Sequence, residues 1–415
     1  MISIKNIPIY ITAFLIILGL TLFTNELGWI AQPIVLLVIV VAFVYLLLNR
    51  LEPNAIYKKP KLNIIPLVLF LIGNVFIIFV SWQIFSTNPI DEKYSDIIPL
   101  IEKIYLNRMF SGEEVYQVIE GFGYGTWYPN YLPMHWLPFS ISFLFGFDSR
   151  YVALAVLLLA NGYYFLVLSR FKLHIAESIL KTLLPFILMV ILFFKQTSET
   201  ANTIEFLTSG YYMLLGSLLI VSSNGITKAF SLMFTSLSRY VVVFILPALL
   251  FTDIKFKRKD TLLVYILFVF LILIIYAAPF LQEDPLVFFK GAKAYDTAAL
   301  GEWDGQDWQK SGDKPFQLFR GFGFASWFYS FSSGDLISKI QLNKFVLLII
   351  MLVNTLVWMT TYSLVKNKFM LQSVMLFFSL FIFFSFVMVP YNYLFWNVLF
   401  LMPVLLLPVK LLNVT

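Results

Sequence analysis

Long apolar runs, separated by short basic loops and by two long polar stretches, set the pattern of this chain. The runs fall at 8–24, 30–49, 64–85, 151–169, 182–194, 205–223, 261–280, 343–363, 369–389 and 393–412. About 20 apolar residues in a helix cross a hydrocarbon layer of about 30 Å. Ten spans are therefore expected, with 182–194 short enough to need extension at one end. Two segments fit the alternation badly. The run 128–147 is apolar but carries Pro129, Pro133 and Pro138, which break a straight helix. It reads as a helix lying in the membrane interface, with Trp127, Tyr128, Tyr131 and Trp136 at headgroup level. The run 226–251 is split by the polar "TSLSR", and both halves are shorter than a span. It reads as a re-entrant hairpin that places Arg239 at its apex, facing a polar cavity.

Charge fixes the sidedness of this plan. Basic residues share four short loops: Arg50, Lys58, Lys59 and Lys61; Arg170, Lys172 and Lys181; Lys255, Lys257, Arg258 and Lys259; Lys366 and Lys368. Ten spans put all four on one side, together with both termini, and the positive-inside rule makes that side cytoplasmic. Of the 23 acidic residues only Glu52, Glu177, Asp253 and Asp260 fall there. The polar chemistry is thus expected outside, in the loops 86–150 and 281–342. The first run follows Lys5 as in a signal peptide, but "TLFTNELG" has no small-x-small cleavage pattern and a second span follows at once, so it reads as a retained helix.

Composition narrows the classes. At 60% hydrophobic, with 45 Phe and mean hydropathy +0.86, the chain needs lipid as a solvent. It has no Cys, which excludes thiol chemistry, and only His135 and His174, which excludes a His-rich metal site. The net charge of +6 sits in loops between spans and is no nucleic-acid footprint. The expected fold is all-α and polytopic: one membrane domain with no internal repeat.

The densest acid cluster, Asp91, Glu92 and Asp96, lies where the third span leaves the membrane. After it, Ile97, Leu100, Ile101, Ile104 and Tyr105 recur at helical spacing and predict an amphipathic helix over 97–110. Asp96 suits its N-cap, and Pro99 is tolerated in its first turn. Asp91 and Glu92 also fit as simple polar residues at a membrane exit, and His135 as a packed interfacial residue. The aromatic stretch 319–331, which contains Arg320, reads as interfacial anchoring; aromatic faces also suit a sugar or lipid path. The glycines of "GFGYG" (121–125) do not lie between a strand and a helix and are no phosphate loop.

The order of these features resembles integral-membrane glycosyltransferases of the GT-C type. It is closest to glycosyltransferase family 87 and related bacterial transferases that use polyprenyl-phosphate sugars. The likeness rests on the acidic exit, the surface helix, "GEEVY", "YPNYLPMHWLPF" and "SRYVVVFILPALLFTDIKFKRK", and covers most of 64–280. Asn130 stands where a second proline often does. The likeness weakens over 281–415, and 1–50 looks like an added helical hairpin. The resemblance implies an inverting hexose transfer, of mannosyltransferase type, from a polyprenyl-phosphate donor to a glycan, lipid or protein acceptor. It implies a bacterial plasma membrane and an extracytoplasmic site. The base maps onto Asp96, with Asp91 and Glu92 as competitors. Arg239 would meet the donor phosphate, and Tyr128, Tyr131, His135 and Arg320 would line the substrate. The acids suit a divalent cation, which a monophosphate donor does not require. Two other readings compete. A lipid-linked polysaccharide polymerase or ligase depends on loop arginines more than on an acid at the loop's start. A transporter tends to show repeated halves and midplane charges.

Overall fold

The computed structural model describes residues 3–22, 26–56, 59–91, 97–120, 129–221, 225–282, 284–305, 310–311 and 314–412. Among the described residues, eight helices are long and apolar enough to cross a membrane: Ile4–Thr21, Gly28–Asn49, Ile64–Thr87, Arg150–Leu168, Ile175–Lys195, Thr261–Phe280, Leu336–Thr361 and Lys368–Phe386. The other two runs expected to span form shorter helices, Glu205–Ile220 and Asn392–Leu406. Their shortness has a packing reason. Every residue of Glu205–Ile220 except Leu214 is buried, as is nearly all of Asn392–Leu406. Enclosed by protein, these helices need not match the thickness of the hydrocarbon layer. Helices Ile64–Thr87 and Thr261–Phe280 instead leave most of their apolar surface exposed, as lipid-facing helices do. The expected run 182–194 begins earlier, at Ile175, with Pro185 inside the helix.

One end of the bundle gathers the basic loops. Ser3 N–H donates to Leu411 O (2.9 Å), Asn54 N–H to Pro408 O (2.8 Å), Lys172 N–H to Ala55 O (2.7 Å) and Asn367 N–H to Leu48 O (2.9 Å). Two buried ion pairs lock this end. Lys181 meets Glu177 (2.7 Å) and also donates to the carbonyls of Leu407 (2.9 Å) and Val409 (2.7 Å). Lys228 meets Asp253, whose other oxygen accepts from Gln372 (2.7 Å). All four basic loops and both described chain ends thus share one face. The N-terminal pair of helices, 4–21 and 28–49, joins the bundle and is not detached from it: Phe43 meets Phe377 edge-on at 5.7 Å.

The split run forms a helical hairpin, Gly225–Ser236 and Val241–Lys255, with its tip at 237–240. Both open ends lie at the basic end, as the Lys228–Asp253 pair requires. Thr235 donates to Ser231 O (2.9 Å) and Ser238 to Thr235 O (2.9 Å), so the short hydroxylated residues of "TSLSR" turn the chain without orphaning its backbone.

At the opposite end the two long loops meet. The predicted amphipathic helix is present over 97–111, with π geometry at Ile101–Leu106, and it buries Leu100, Ile101 and Tyr105. The segment 133–145 is a helix broken at Leu137–Phe139. Here the interfacial expectation fails in part. Pro133, Met134, His135, Trp136 and Phe139 are buried, and Trp136 donates to Tyr116 Oη (3.1 Å) rather than standing at headgroup level. Helix Val287–Asp304 packs so tightly on Pro129 and Asn130, just before this segment, that a Cβ at Gly291 would lie 2.7 Å from Pro129 O. The aromatic stretch is corrected too. Phe319, Phe322 and Phe324 are buried; Phe319 joins Trp303, Ala325 and Met388 in a small second core, and only its far end, at Phe331, is well exposed. A two-residue hairpin, Lys310–Ser311 with Lys314–Pro315, is the only strand pair among the described residues.

Candidate functional site

The hairpin tip holds Arg239 where three elements converge. Its guanidinium pairs with Glu205, the first residue of the buried helix Glu205–Ile220. That carboxylate is fully buried and fixed at a helix N-terminus, where the dipole favours a negative charge. Thr208 donates to it (2.6 Å), as does Asn397 (3.2 Å), whose own Oδ1 accepts from Ser209 (3.3 Å). One edge of the arginine is therefore held by a rigid anchor. Its Nε is buried and has no partner among the described residues.

The proline-rich segment closes over the tip. Met134 N–H donates to Leu237 O (2.9 Å), which sets the short helix Pro133–Trp136 on the turn. Pro133 at its first position needs no N–H partner there. His135 is 1% exposed, and neither ring nitrogen has a partner among the described residues. Its ring stacks on Tyr131, with centroids 4.9 Å apart and planes 19° apart. Burial first, and then the Arg239 charge, push the imidazole well below its usual pKa, so it is neutral. Tyr131 is itself fixed, because its carbonyl accepts from Tyr116 Oη (2.7 Å). The phenols of Tyr393, Tyr131, Tyr295 and Tyr240 are the other electrostatic neighbours of Arg239. They bring residues from both long loops and from the start of the last helix to the same tip.

A second arginine lies on the same rim. Arg320 meets Glu199 (3.2 Å) and Asn392 (3.3 Å), and stands over the Phe316 ring at 5.0 Å. Asn392 also donates to Glu199 (2.9 Å). Glu199 lies in the short helix Thr197–Asn202, which links Ile175–Lys195 to Glu205. The acidic exit reaches this connection as well, since Asp91 N–H donates to Asn202 Oδ1 (2.8 Å). Arg150 fixes the exit by donating to Phe85 O (3.0 Å), Asn88 O (2.7 Å) and Ala201 O (3.0 Å).

The structure thus brings together Arg239, His135 and Tyr131, and places Arg320 and the Asp91 backbone against the neighbouring 197–202 connection. Asp91 has an exposed side chain. Glu92, Asp96 and Tyr128 lie outside the described residues. Among the described residues no three His, Cys, Asp or Glu side chains stand together as metal ligands. A cavity of about 520 Å3 is lined by Glu102, Lys103, Asn107 and Phe143, and one of about 220 Å3 lies at the basic end beside Lys61 and Ser178. Neither shares a residue with the Arg239 cluster. Sequence reasoning missed Glu199, Glu205, Arg150 and Asn397. One signal was present: "SETANTIEFLTSG" puts two acids in a short connection at the head of an apolar run, where burial demands a cationic partner. Asn397 gave none, because a lone Asn in an apolar run looks the same whether or not it holds a carboxylate. Compared with protein-family profiles, with characterised proteins and with solved structures, the chain gives no match.

Proposed function

We propose that this protein is a GT-C-like glycosyltransferase that moves a hexose from a polyprenyl-phosphate donor to an acceptor on the extracytoplasmic side of a bacterial plasma membrane. The observation that carries this reading is Arg239. A cation at the tip of a hairpin, anchored along one edge and 21% exposed, sits where both long loops converge. Buried cations among membrane spans are costly and mark functional sites. In this reading the hairpin re-enters the bilayer, so a ligand with a wet head and a lipid tail reaches the tip from the membrane. The tail contributes about 0.8 kcal/mol per buried CH2.

The chemistry asks little more. The acceptor oxygen attacks the sugar's anomeric carbon while the bond from that carbon to the phosphate oxygen breaks, inverting the centre. The acceptor proton goes to a carboxylate, assigned to Asp96 with Asp91 and Glu92 as competitors. The electron pair leaves on the phosphate, which Arg239 stabilises. No general acid is needed, because the phosphate is already a good leaving group.

The test uses full-length protein in unsealed nanodiscs with a polyprenyl-phosphate hexose, following donor consumption. Wild type consumes donor. Arg239→Ala loses a charge-assisted contact of about 1.5–3 kcal/mol, or roughly 10- to 150-fold in donor use. Arg239→Lys recovers part, since it keeps charge without the planar fork. No consumption in nanodiscs, with movement of the donor across sealed vesicles, would establish the transporter reading instead.

A further inference from the structure

Among the described residues, two buried polar groups on neighbouring segments are left without partners. One is Arg239 Nε, on the edge of the guanidinium that Glu205 does not hold. The other is the whole polar perimeter of His135, Nδ1 and Nε2. The Met134–Leu237 hydrogen bond brings their segments into contact, and the Arg239 charge is felt at the imidazole. A buried donor left unmade is costly, and native proteins rarely leave two side by side. A single oxygen with two lone pairs, of a water or of an anion, can accept from both, and the Arg239 charge favours the anion.

We infer that His135 and Arg239 form a two-donor oxyanion site, closed by the Tyr131 stack, that binds the phosphate of a prenyl-linked ligand. The identification of the ligand rests on the proposed function; the donor geometry does not. Glu205 is the positioning residue. It holds one edge of the guanidinium, leaving Nε unpaired among the described residues, and, with neutral His135, leaves the cluster with no net charge. Such a site suits the single negative charge of a phosphodiester better than the nearly double charge that a phosphomonoester carries at neutral pH. The donor is a phosphodiester and the spent carrier a monoester, so the same cluster that holds the donor releases the product.

The experiment measures binding of a short-chain prenyl phosphate, a methyl prenyl phosphodiester and inorganic phosphate to full-length protein in detergent. His135→Phe keeps a ring on Tyr131 and removes both nitrogens. It is expected to weaken diester binding about tenfold, the equivalent of one neutral hydrogen bond. His135→Gln keeps an N–H donor and is expected to stay within about threefold of wild type. The diester is expected to bind more tightly than the monoester. Binding of inorganic phosphate as tight as that of the diester would overturn the lipid-linked ligand. A second measurement needs no variant. The chain has only two histidines, so 15N-histidine labelling gives two imidazoles, with His174, whose Nδ1 accepts from Ala176 N–H (3.3 Å), as internal control. The His135 signal is expected to shift on adding the diester while that of His174 stays. An unmoved His135 signal, or unchanged affinity in a folded His135→Phe, overturns the site. Sugar transfer with unchanged affinity in His135→Phe sinks this inference alone. His135-dependent binding without any transfer sinks the glycosyltransferase reading alone.

Discussion

Individual side chains divide into those that hold the bundle and those that serve the tip. Lys181 belongs to the first group: it is buried and spends its charge on Glu177 and two carbonyls of the C-terminal segment. Lys181→Met strands a fully buried carboxylate, and breaking such a pair from one side costs about 3–5 kcal/mol. A clear drop in thermal midpoint is expected, with donor use per folded molecule unchanged. Under the proposed function Asp96 is the base. Asn is also a good N-cap, so Asp96→Asn keeps any capping role and removes the proton acceptor. Rates are expected to fall about 10²- to 10⁴-fold with stability intact. Asp91→Asn and Glu92→Gln should be milder. Normal turnover in Asp96→Asn beside a dead Asp91→Asn or Glu92→Gln would move the base to the "DE" pair.

Among elements, close approach decides where the loops sit. Gly291 lets helix Val287–Asp304 lie against the Pro129 carbonyl, and a Cβ there would meet a backbone atom at 2.7 Å. Backbone cannot rotate aside as a side chain can, so Gly291→Ala is expected to cost about 1–3 kcal/mol of overpacking. Its readout is faster proteolysis within 281–342. Gly162 provides the contrast. It lies inside helix Arg150–Leu168, and a Cβ there meets only Phe70 Cζ at 3.9 Å. Gly162→Ala should be neutral or stabilising by up to about 1 kcal/mol through helix propensity. Equal protease resistance in both variants would show that the two loops are not coupled through Gly291.

For the whole molecule, the prediction concerns sidedness. The basic loops share one face, and the positive-inside rule predicts that this face is cytoplasmic. With no native Cys, single cysteines report without background. Positions must be chosen by exposure: Asn54 lies in a basic loop but is buried against Glu177, so it would stay silent on either side. Cysteines at exposed Ser111 and Ser333 are expected to react with an impermeant reagent in intact cells, and one at exposed Lys366 only after permeabilisation. Labelling of position 366 in intact cells would reverse the orientation.

By itself the sequence placed the eight long apolar helices, the shared face of the four basic loops, the hairpin broken at "TSLSR" and the amphipathic helix after the acidic exit. Each follows from local physics: apolar length against bilayer thickness, charge in short loops, helical periodicity and helix-breaking polar residues. Only the tertiary structure decided which apolar residues leave lipid. Trp136 and Phe322 look like interfacial anchors in sequence and are buried, Trp136 against Tyr105, Tyr116 and Phe280 and Phe322 against Phe395. It also decided the partners. Arg239 was legible as a cation at an apex, but Glu205, 34 residues away, and Asn397, 192 residues from Glu205, were not. A buried charge announces in sequence that it needs a counter-charge; which one it finds depends on how distant helices pack.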